Sequence, residues 1–263
     1  AVLLICFFLF SNGIPFFGKV SLWEFLTGET WRPSNEIFGI LPMILGSVYV
    51  TGGALLLGAP LGILTAIYLV RFCPAKLYRV LKPAVALLAG IPSVVYGFFG
   101  LMVIVPLVQD LFGAPSGQNM LTASILLGIM ILPTIIGVSE SAIRAVPDSY
   151  YEGALALGAS HERSVFFVTV PAAKSGIMAG IILGVGRAIG ETMAVIMIAG
   201  NQPRIPDSLL EGVRTLTGNI VMEMGYAQGL HREALIATGV VLFVFILIIN
   251  LLFSIIKRKE SKA

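Results

Sequence analysis

The chain of 263 residues is 57% hydrophobic and only 12% charged, and its formal net charge is +3. Soluble globular domains carry about 25% charged residues, so this chain has too few charges to cover a surface exposed to water. The composition therefore excludes disordered proteins, nucleic-acid-binding proteins and ordinary soluble enzymes. Cys6 and Cys73 lie in different segments and indicate neither a disulfide framework nor a metal site. We expect an all-α polytopic protein embedded in a lipid bilayer.

Six stretches are apolar and long enough to cross a membrane. A bilayer core of roughly 30 Å needs about 20 mostly apolar residues in a helix, because the backbone must satisfy its own hydrogen bonds there. The stretches lie at about 1–18, 41–70, 84–108, 120–138, 177–198 and 234–256. The first has neither a basic flank nor a clear cleavage site, so we interpret it as a helix truncated at its N-terminus rather than a signal peptide. The predicted organisation is one transmembrane domain over 1–263.

The basic residues are distributed unequally between the two sides of this topology. Eleven Lys and Arg fall in the segments 71–83 and 139–176 and in the C-terminal tail, whereas five fall on the opposite side. The tail contributes Lys257, Arg258, Lys259 and Lys262. Because cytoplasmic loops are enriched in Lys and Arg, we predict a cell-membrane protein with a cytoplasmic C-terminus.

The inner loop, at 139–176, predicts two short helices joined at a glycine. Pro147 and Asp148 suit the start of the first helix, and Gly158 can take the left-handed conformation that ends it. Ser160 can cap the second helix, which has Pro171 near its far end. We therefore expect a compact knob on the cytoplasmic face.

The same loop carries a recognisable motif. Glu152-Gly153-Ala154, Gly158 and the run Val168 to Pro171 have the spacing of the EAA motif, and the chain thereby resembles ABC importer permeases. Gly153, Val168 and Val170 are conservative departures from that motif. The resemblance implies that Glu152, Ala154 and Gly158 form a turn that docks on a separate ATPase, with Pro171 closing the motif. Gly13 to Lys19 lacks the Ser or Thr of a phosphate-binding loop, so we expect neither ATP hydrolysis nor a cofactor in this chain.

Three further segments narrow the resemblance. Phe25–Pro33, Gly90–Gly97 and Gly186–Met193 are similar to the phosphate-specific permeases of the PstC type. This resemblance implies a heterodimer with a PstA-type permease, two ATPase subunits and an external phosphate-binding protein. Inorganic phosphate is the implied substrate.

The fifth stretch contains an Arg and a Glu four residues apart. At about 100° per residue, Arg187 and Glu191 share a narrow helical stripe with three glycines, at 176, 180 and 184. A lone charge near mid-bilayer costs at least about 2.5–3.5 kcal/mol, so both groups must face protein or water. Two interpretations remain open: Arg187 and Glu191 form a packing clamp, or Arg187 donates to a passing oxyanion while Glu191 keeps the anion weakly held.

Other candidates are less specific. Ser93 and Tyr96 flank the break at Pro92 and either line a cavity or belong to a simple kink. Thr192 either extends a polar path or caps the span. His161 and His231 are expected at the surface, and Trp31 is expected to anchor at the interface or to contact the binding protein.

Three alternative functions stay open. The first is a permease for another oxyanion such as sulfate or molybdate, and the second is an ATP-independent secondary transporter or channel. The third is a membrane scaffold without transport activity, which has little use for buried charge.

Overall fold

A computed structural model describes residues 2–260, with side chains described except at positions 2, 253, 254 and 256–260. Lys262 and the side chains of Lys257, Arg258 and Lys259 in the predicted basic tail lie outside the described residues. The helices are α1 Val2–Gly13, α2 Leu22–Thr27, α3 Leu41–Ile67, α4 Ala75–Gly90, α5 Ser93–Phe99, α6 Val105–Phe112, α7 Met120–Arg144, α8 Asp148–Ala156, α9 His161–Ser164, α10 Val170–Ala172, α11 Lys174–Gly190, α12 Met193–Ile198, α13 Leu216–Glu223 and α14 Gly229–Glu260. Strands β1 (Trp31–Arg32) and β2 (Ile37–Phe38) form an antiparallel hairpin in which Trp31 is opposite Phe38.

The helices confirm an all-α polytopic membrane architecture. Within the described part of the chain, four helical segments are long and apolar enough to span a bilayer. They are Leu41–Phe72, Ser93–Phe112, Met120–Arg144 and Gly229–Leu252. A fifth is the pair His161–Ala172 and Lys174–Gly190, if this pair, bent by 68°, counts as one span. The first predicted stretch appears as a shorter apolar helix, Leu3–Gly18.

Several predicted boundaries differ from the structure, and two of the differences have a clear local cause. The third span begins at Ser93 instead of residue 84, because Pro92 forces the preceding Ile91 into an extended conformation and separates α4 from α5. The fourth span continues to Arg144 instead of residue 138. Its last turn is stabilised by an ion pair of 3.1 Å between Arg144 Nε and Glu140 Oε1, four residues apart.

The described residues form two compact units. The first comprises the described residues up to Gly53 together with Pro92–Leu127 and Ile189–Ile249. Its core is an aromatic cluster of Phe16, Phe25, Trp31 and Phe38, packed edge to face and covered by small and aliphatic residues of α14. The segment Gly13 to Lys19, which partly resembles a phosphate-binding loop, therefore belongs to a packed core, since Phe16 at its centre is fully buried.

The second unit comprises Ala54–Ile91, Gly128–Ala188 and the described residues from Asn250 onward. In its core, Ala66 and Ile67 at the C-terminal end of α3 cluster with Ile143 near the end of α7 and Ile177 near the start of α11. Val165, directly after α9, belongs to the same cluster. The inner-loop knob is part of this unit.

Candidate functional site

The fifth predicted stretch is interrupted at the residues that the sequence singled out. Helix α11 ends at Gly190, and α12 begins at Met193, with Thr192 at the N-cap position but without a capping bond from its side chain. The i, i+4 spacing from Arg187 to Glu191 therefore does not run along one continuous helix. The two side chains have different partners, each within its own compact unit.

Glu191 caps the short helix that follows it. Its Oε1 accepts hydrogen bonds from the backbone N–H groups of Thr192 (3.1 Å) and Ala194 (3.3 Å). A carboxylate at this position is favourable because the first N–H groups of a helix lack intrahelical partners and carry partial positive charge. The Thr192 hydroxyl donates to the Gly190 carbonyl over 3.2 Å. The break is thus a structured turn with its polar groups paired.

Arg187 lies half-buried against α7 in the second unit. Its Nη1 donates to Thr134 Oγ1 over 3.2 Å, a partner that the sequence did not suggest. A Cβ added at Gly180 would meet Ser139 and Val138, and one at Gly184 would meet Ile135, all on α7. The predicted glycine stripe therefore allows close approach of α7, and Arg187 continues the same contact face.

Ser93 and Tyr96 begin α5, which packs on α12 within the first unit. Tyr96 is buried, and a Cβ added at Gly97 would come within 3.0 Å of Ala194 Cα. A Cβ at Gly100 would meet Ile198 one turn further on, so α5 and α12 run in the same direction. Two helices that each begin after a break, at Pro92 and at Glu191–Thr192, therefore lie side by side.

A buried carboxylate in the first unit was missed by the sequence analysis. Glu223, only 7% exposed, accepts hydrogen bonds from Arg214 Nη1 (2.6 Å), Trp31 Nε1 (2.9 Å) and His231 Nε2 (2.8 Å). Partial desolvation and the Glu223 charge raise the pKa of the mainly exposed Tyr226 hydroxyl, against a smaller opposite effect of Arg214. The expectation of an interfacial anchor at Trp31 was wrong, because this residue is only 6% exposed, and His231, expected at the surface, has a side chain that is only 15% exposed.

A second buried carboxylate lies in the other unit. Glu140 of α7 accepts from Tyr78 Oη (2.7 Å) and Lys82 Nζ (2.5 Å) of α4 as well as from Arg144. The Arg144 guanidinium also lies 4.9 Å from the centre of the Tyr78 ring. No residue of α4 is buried, and this polar cluster attaches α4 to α7.

The inner-loop knob has the predicted construction. Helix α8 spans Asp148–Ala156, Gly158 follows with φ +86°, and Ser160 Oγ caps α9 by accepting from Arg163 N. Glu152 and Gly158 are exposed, Ala154 is half-buried and Pro171 is exposed on α10. Leu157 at the tip is 91% exposed, a large apolar side chain that the motif did not highlight.

Polar contacts fix the knob to the end of the α3 span. Arg71 Nη1 pairs with Asp148 Oδ1 over 3.2 Å. His161 bridges Tyr151 Oη (2.7 Å, at Nδ1) and the Arg71 carbonyl (3.1 Å, at Nε2). Since a carbonyl only accepts, Nε2 carries the proton and the Tyr151 hydroxyl donates to Nδ1. The expected surface histidine at 161 is therefore a structural bridge.

The sequence matches the family described as "Binding-protein-dependent transport system inner membrane component" over residues 58–262. That match covers well over half of the chain. The chain belongs to this family. The permease is also 41% identical to the "Probable ABC transporter permease protein YqgH" of Bacillus subtilis, over 95% of this chain and 84% of that protein. It is 39% identical to the "Phosphate transport system permease protein PstC" of Mesorhizobium japonicum, over 86% and 75% of the two chains.

Solved structures give the same fold. A chain of the MetNI methionine ABC transporter in an inward-facing conformation matches with a TM-score of 0.69 at 19% identity, over 88% of this permease and 99% of that chain. The predicted ABC importer permease fold and PstC-type resemblance are confirmed. The permease is a membrane-embedded transport subunit that works with a second permease, ATPases and a binding protein, and ATP hydrolysis belongs to the ATPase chains.

Proposed function

We propose that this permease forms half of the translocation path of a phosphate importer in the cell membrane, paired with a PstA-type permease. Two ATPase subunits and an external phosphate-binding protein complete the proposed complex, and residues 1–263 act as a single transmembrane domain with a cytoplasmic C-terminus. The identity of 39% to a phosphate transport permease over most of both chains supports the choice of phosphate. The excess of basic residues in the inner segments supports the orientation.

Arg187 carries the proposal for the path. A guanidinium offers five N–H donors, and the single described hydrogen bond to Thr134 leaves the others for an oxyanion. Glu191, Thr192, Ser93 and Tyr96 are the other proposed path residues. The packing of α5 beside α12 supports grouping these four residues, because they lie at or next to the starts of the two helices and belong to one compact unit.

The knob is the proposed coupling element. Glu152, Ala154 and Gly158, followed by Pro171, are proposed to dock on an ATPase subunit. The exposed Leu157 supports docking, since an isolated apolar tip gains free energy when it is buried in a partner cleft. The contacts of Arg71 with Asp148 and His161 tie the knob to the α3 span, so that displacement of the knob is passed to that span.

Reconstitution with the neighbouring chains tests this function. The permease is co-purified with its partners, placed in liposomes and given binding protein, ATP and labelled phosphate. We expect ATP-dependent uptake of labelled phosphate. Excess unlabelled phosphate should inhibit this uptake, and excess sulfate or molybdate should not. Uptake competed by sulfate would instead support the other-oxyanion permease, and uptake driven by an ion gradient without ATPase chains would support a secondary transporter.

A further inference from the structure

The helix break at Glu191–Thr192, between α11 and α12, is held by residues that are distant in sequence. The short helix α12, which follows the break, is connected at both of its ends to the segment that contains Arg214 and α13. We propose that Arg214 and Glu223 are positioning residues for this break. This inference rests on the proposed function only for its transport readout.

The C-terminal end of α12 is connected to Arg214. Gly200 and Asn201 both adopt left-handed backbone conformations, with φ of +78° and +52°, and turn the chain back on α12. Asn201 Nδ2 then donates to the Ile196 carbonyl over 2.6 Å, pairing an acceptor that the end of the helix leaves free. Arg214 Nε in turn donates to the Asn201 carbonyl over 3.0 Å. The turn that ends α12 is thereby fixed to the guanidinium.

The N-terminal end of α12 is connected to α13. Thr217 Oγ1, in the first turn of α13, donates to the Glu191 backbone carbonyl over 3.1 Å. Because the helical ladder is interrupted at this residue, the carbonyl depends on this hydroxyl for a partner. Glu223 lies at the other end of α13, where it binds Arg214. One short helix thus links the carbonyl before α12 with the arginine that holds the turn after it.

The Arg214–Glu223 pair is well suited to hold one geometry. Both side chains are largely buried, and Glu223 is also bound by the Trp31 indole and the His231 ring. Charge-assisted hydrogen bonds between desolvated groups are short and directional, and loss of one partner leaves the other charge uncompensated. Any shift of α13 therefore disrupts this cluster. The cluster around Glu223 therefore fixes the position of Glu191 through α13, although no residue of the cluster bonds to the Glu191 side chain.

The test compares amide hydrogen exchange in the intact complex without substrate. We expect Glu223→Gln to raise exchange over residues 191–201 by about tenfold, as loss of a charge-assisted hydrogen bond predicts, while the complex assembles normally. Thr217→Val removes the hydroxyl that donates to the Glu191 carbonyl and that also contacts the Thr215 hydroxyl (3.2 Å), and it should raise exchange at the start of α12 without disturbing Glu223. The matched control is Glu233→Gln, which breaks the exposed ion pair between Glu233 and Lys19 (2.7 Å) in the same unit and should leave α12 unchanged.

The transport readout distinguishes positioning from general damage. We expect Glu223→Gln to lower the maximal uptake rate about tenfold at an unchanged half-saturating concentration of binding protein. Unchanged exchange over 191–201 in assembled Glu223→Gln and Thr217→Val complexes overturns the proposal, as does an increase spread evenly over the first unit. If Glu223→Gln does not assemble, the Thr217→Val result alone decides. Since exchange is measured without substrate, failure of the wild-type complex to import phosphate would overturn the proposed function and leave this inference standing.

Discussion

Arg187 on α11 donates from Nη1 to the hydroxyl of Thr134 on α7 over 3.2 Å. Thr134 directly follows Pro133, which interrupts the hydrogen-bond ladder of α7. The guanidinium is therefore oriented by a neutral hydroxyl, which leaves its charge uncompensated by that contact. No acidic partner of Arg187 is found among the described residues, and a guanidinium that keeps its charge suits the proposed binding of an oxyanion.

Replacement of Arg187 by glutamine should abolish phosphate uptake while the complex still assembles. Gln removes the charge and, because its side chain is shorter than that of Arg, also gives up the contact of Nη1 with Thr134. Uptake and the yield of purified complex are measured together. Thr134→Val is the companion variant, which keeps the charge but loses the orienting contact, and we expect a partial loss of about tenfold. Normal uptake by the Gln variant would remove Arg187 from the mechanism.

Glu191 can be tested with two substitutions that separate its charge from its cap. Glu191→Gln keeps the Oε1 acceptor for Thr192 N and Ala194 N, whereas Glu191→Ala removes it at a cost of about 0.5–2 kcal/mol. We expect the Gln variant to assemble with altered uptake and ATP hydrolysis, and the Ala variant to be less stable as well. Because Glu191 and Arg187 have separate partners, failure of the Glu191→Gln variant to assemble would indicate a structural role of Glu191 in its own turn instead of a role in the path.

Two glycines of the knob form a matched pair. A Cβ at either Gly153 or Gly158 meets no atom within 4 Å, but only Gly158 has a positive φ, of +86°. Gly158→Ala should therefore strain the turn by about 1 kcal/mol and reduce ATP-coupled uptake. Gly153→Ala should leave coupling intact and strengthen α8 by up to about 1 kcal/mol. Equal effects of the two substitutions on coupling would show that the left-handed turn is unimportant.

The cluster around Glu140 should show non-additive stability. Lys82→Met or Arg144→Met alone leaves one cation beside the buried carboxylate, whereas the double variant leaves none. We expect the double variant to lose at least about 1 kcal/mol more than the sum of the single changes, measured by thermal unfolding of the complex. Adding Glu140→Gln to the double variant should restore part of the loss, because no buried charge then remains. Strict additivity would argue against the cluster as the attachment of α4.

The local features of the knob were predictable because they depend on neighbouring residues. Ser160 capping α9 and Gly158 ending α8 follow from backbone rules that operate over a few positions. The helical angle calculation also placed the three glycines before Arg187 on one face, and in the structure that face packs on α7. It failed at Glu191, because a periodicity assumes a continuous helix and gives no sign of the break after Gly190.

The sequence by itself determined the class of this protein and the approximate position of its spans, because lipid offers no hydrogen-bond partners and forces long apolar helices. It also supplied the motif proposed for coupling and the arginine proposed for the path, and both roles stay predictions. Only the tertiary structure decided which polar groups meet. Trp31 and Glu223 are 192 residues apart, and Lys82 and Glu140 are 58 apart. Such pairs depend on where separate helices pack, and no periodicity or local propensity in either segment encodes that meeting.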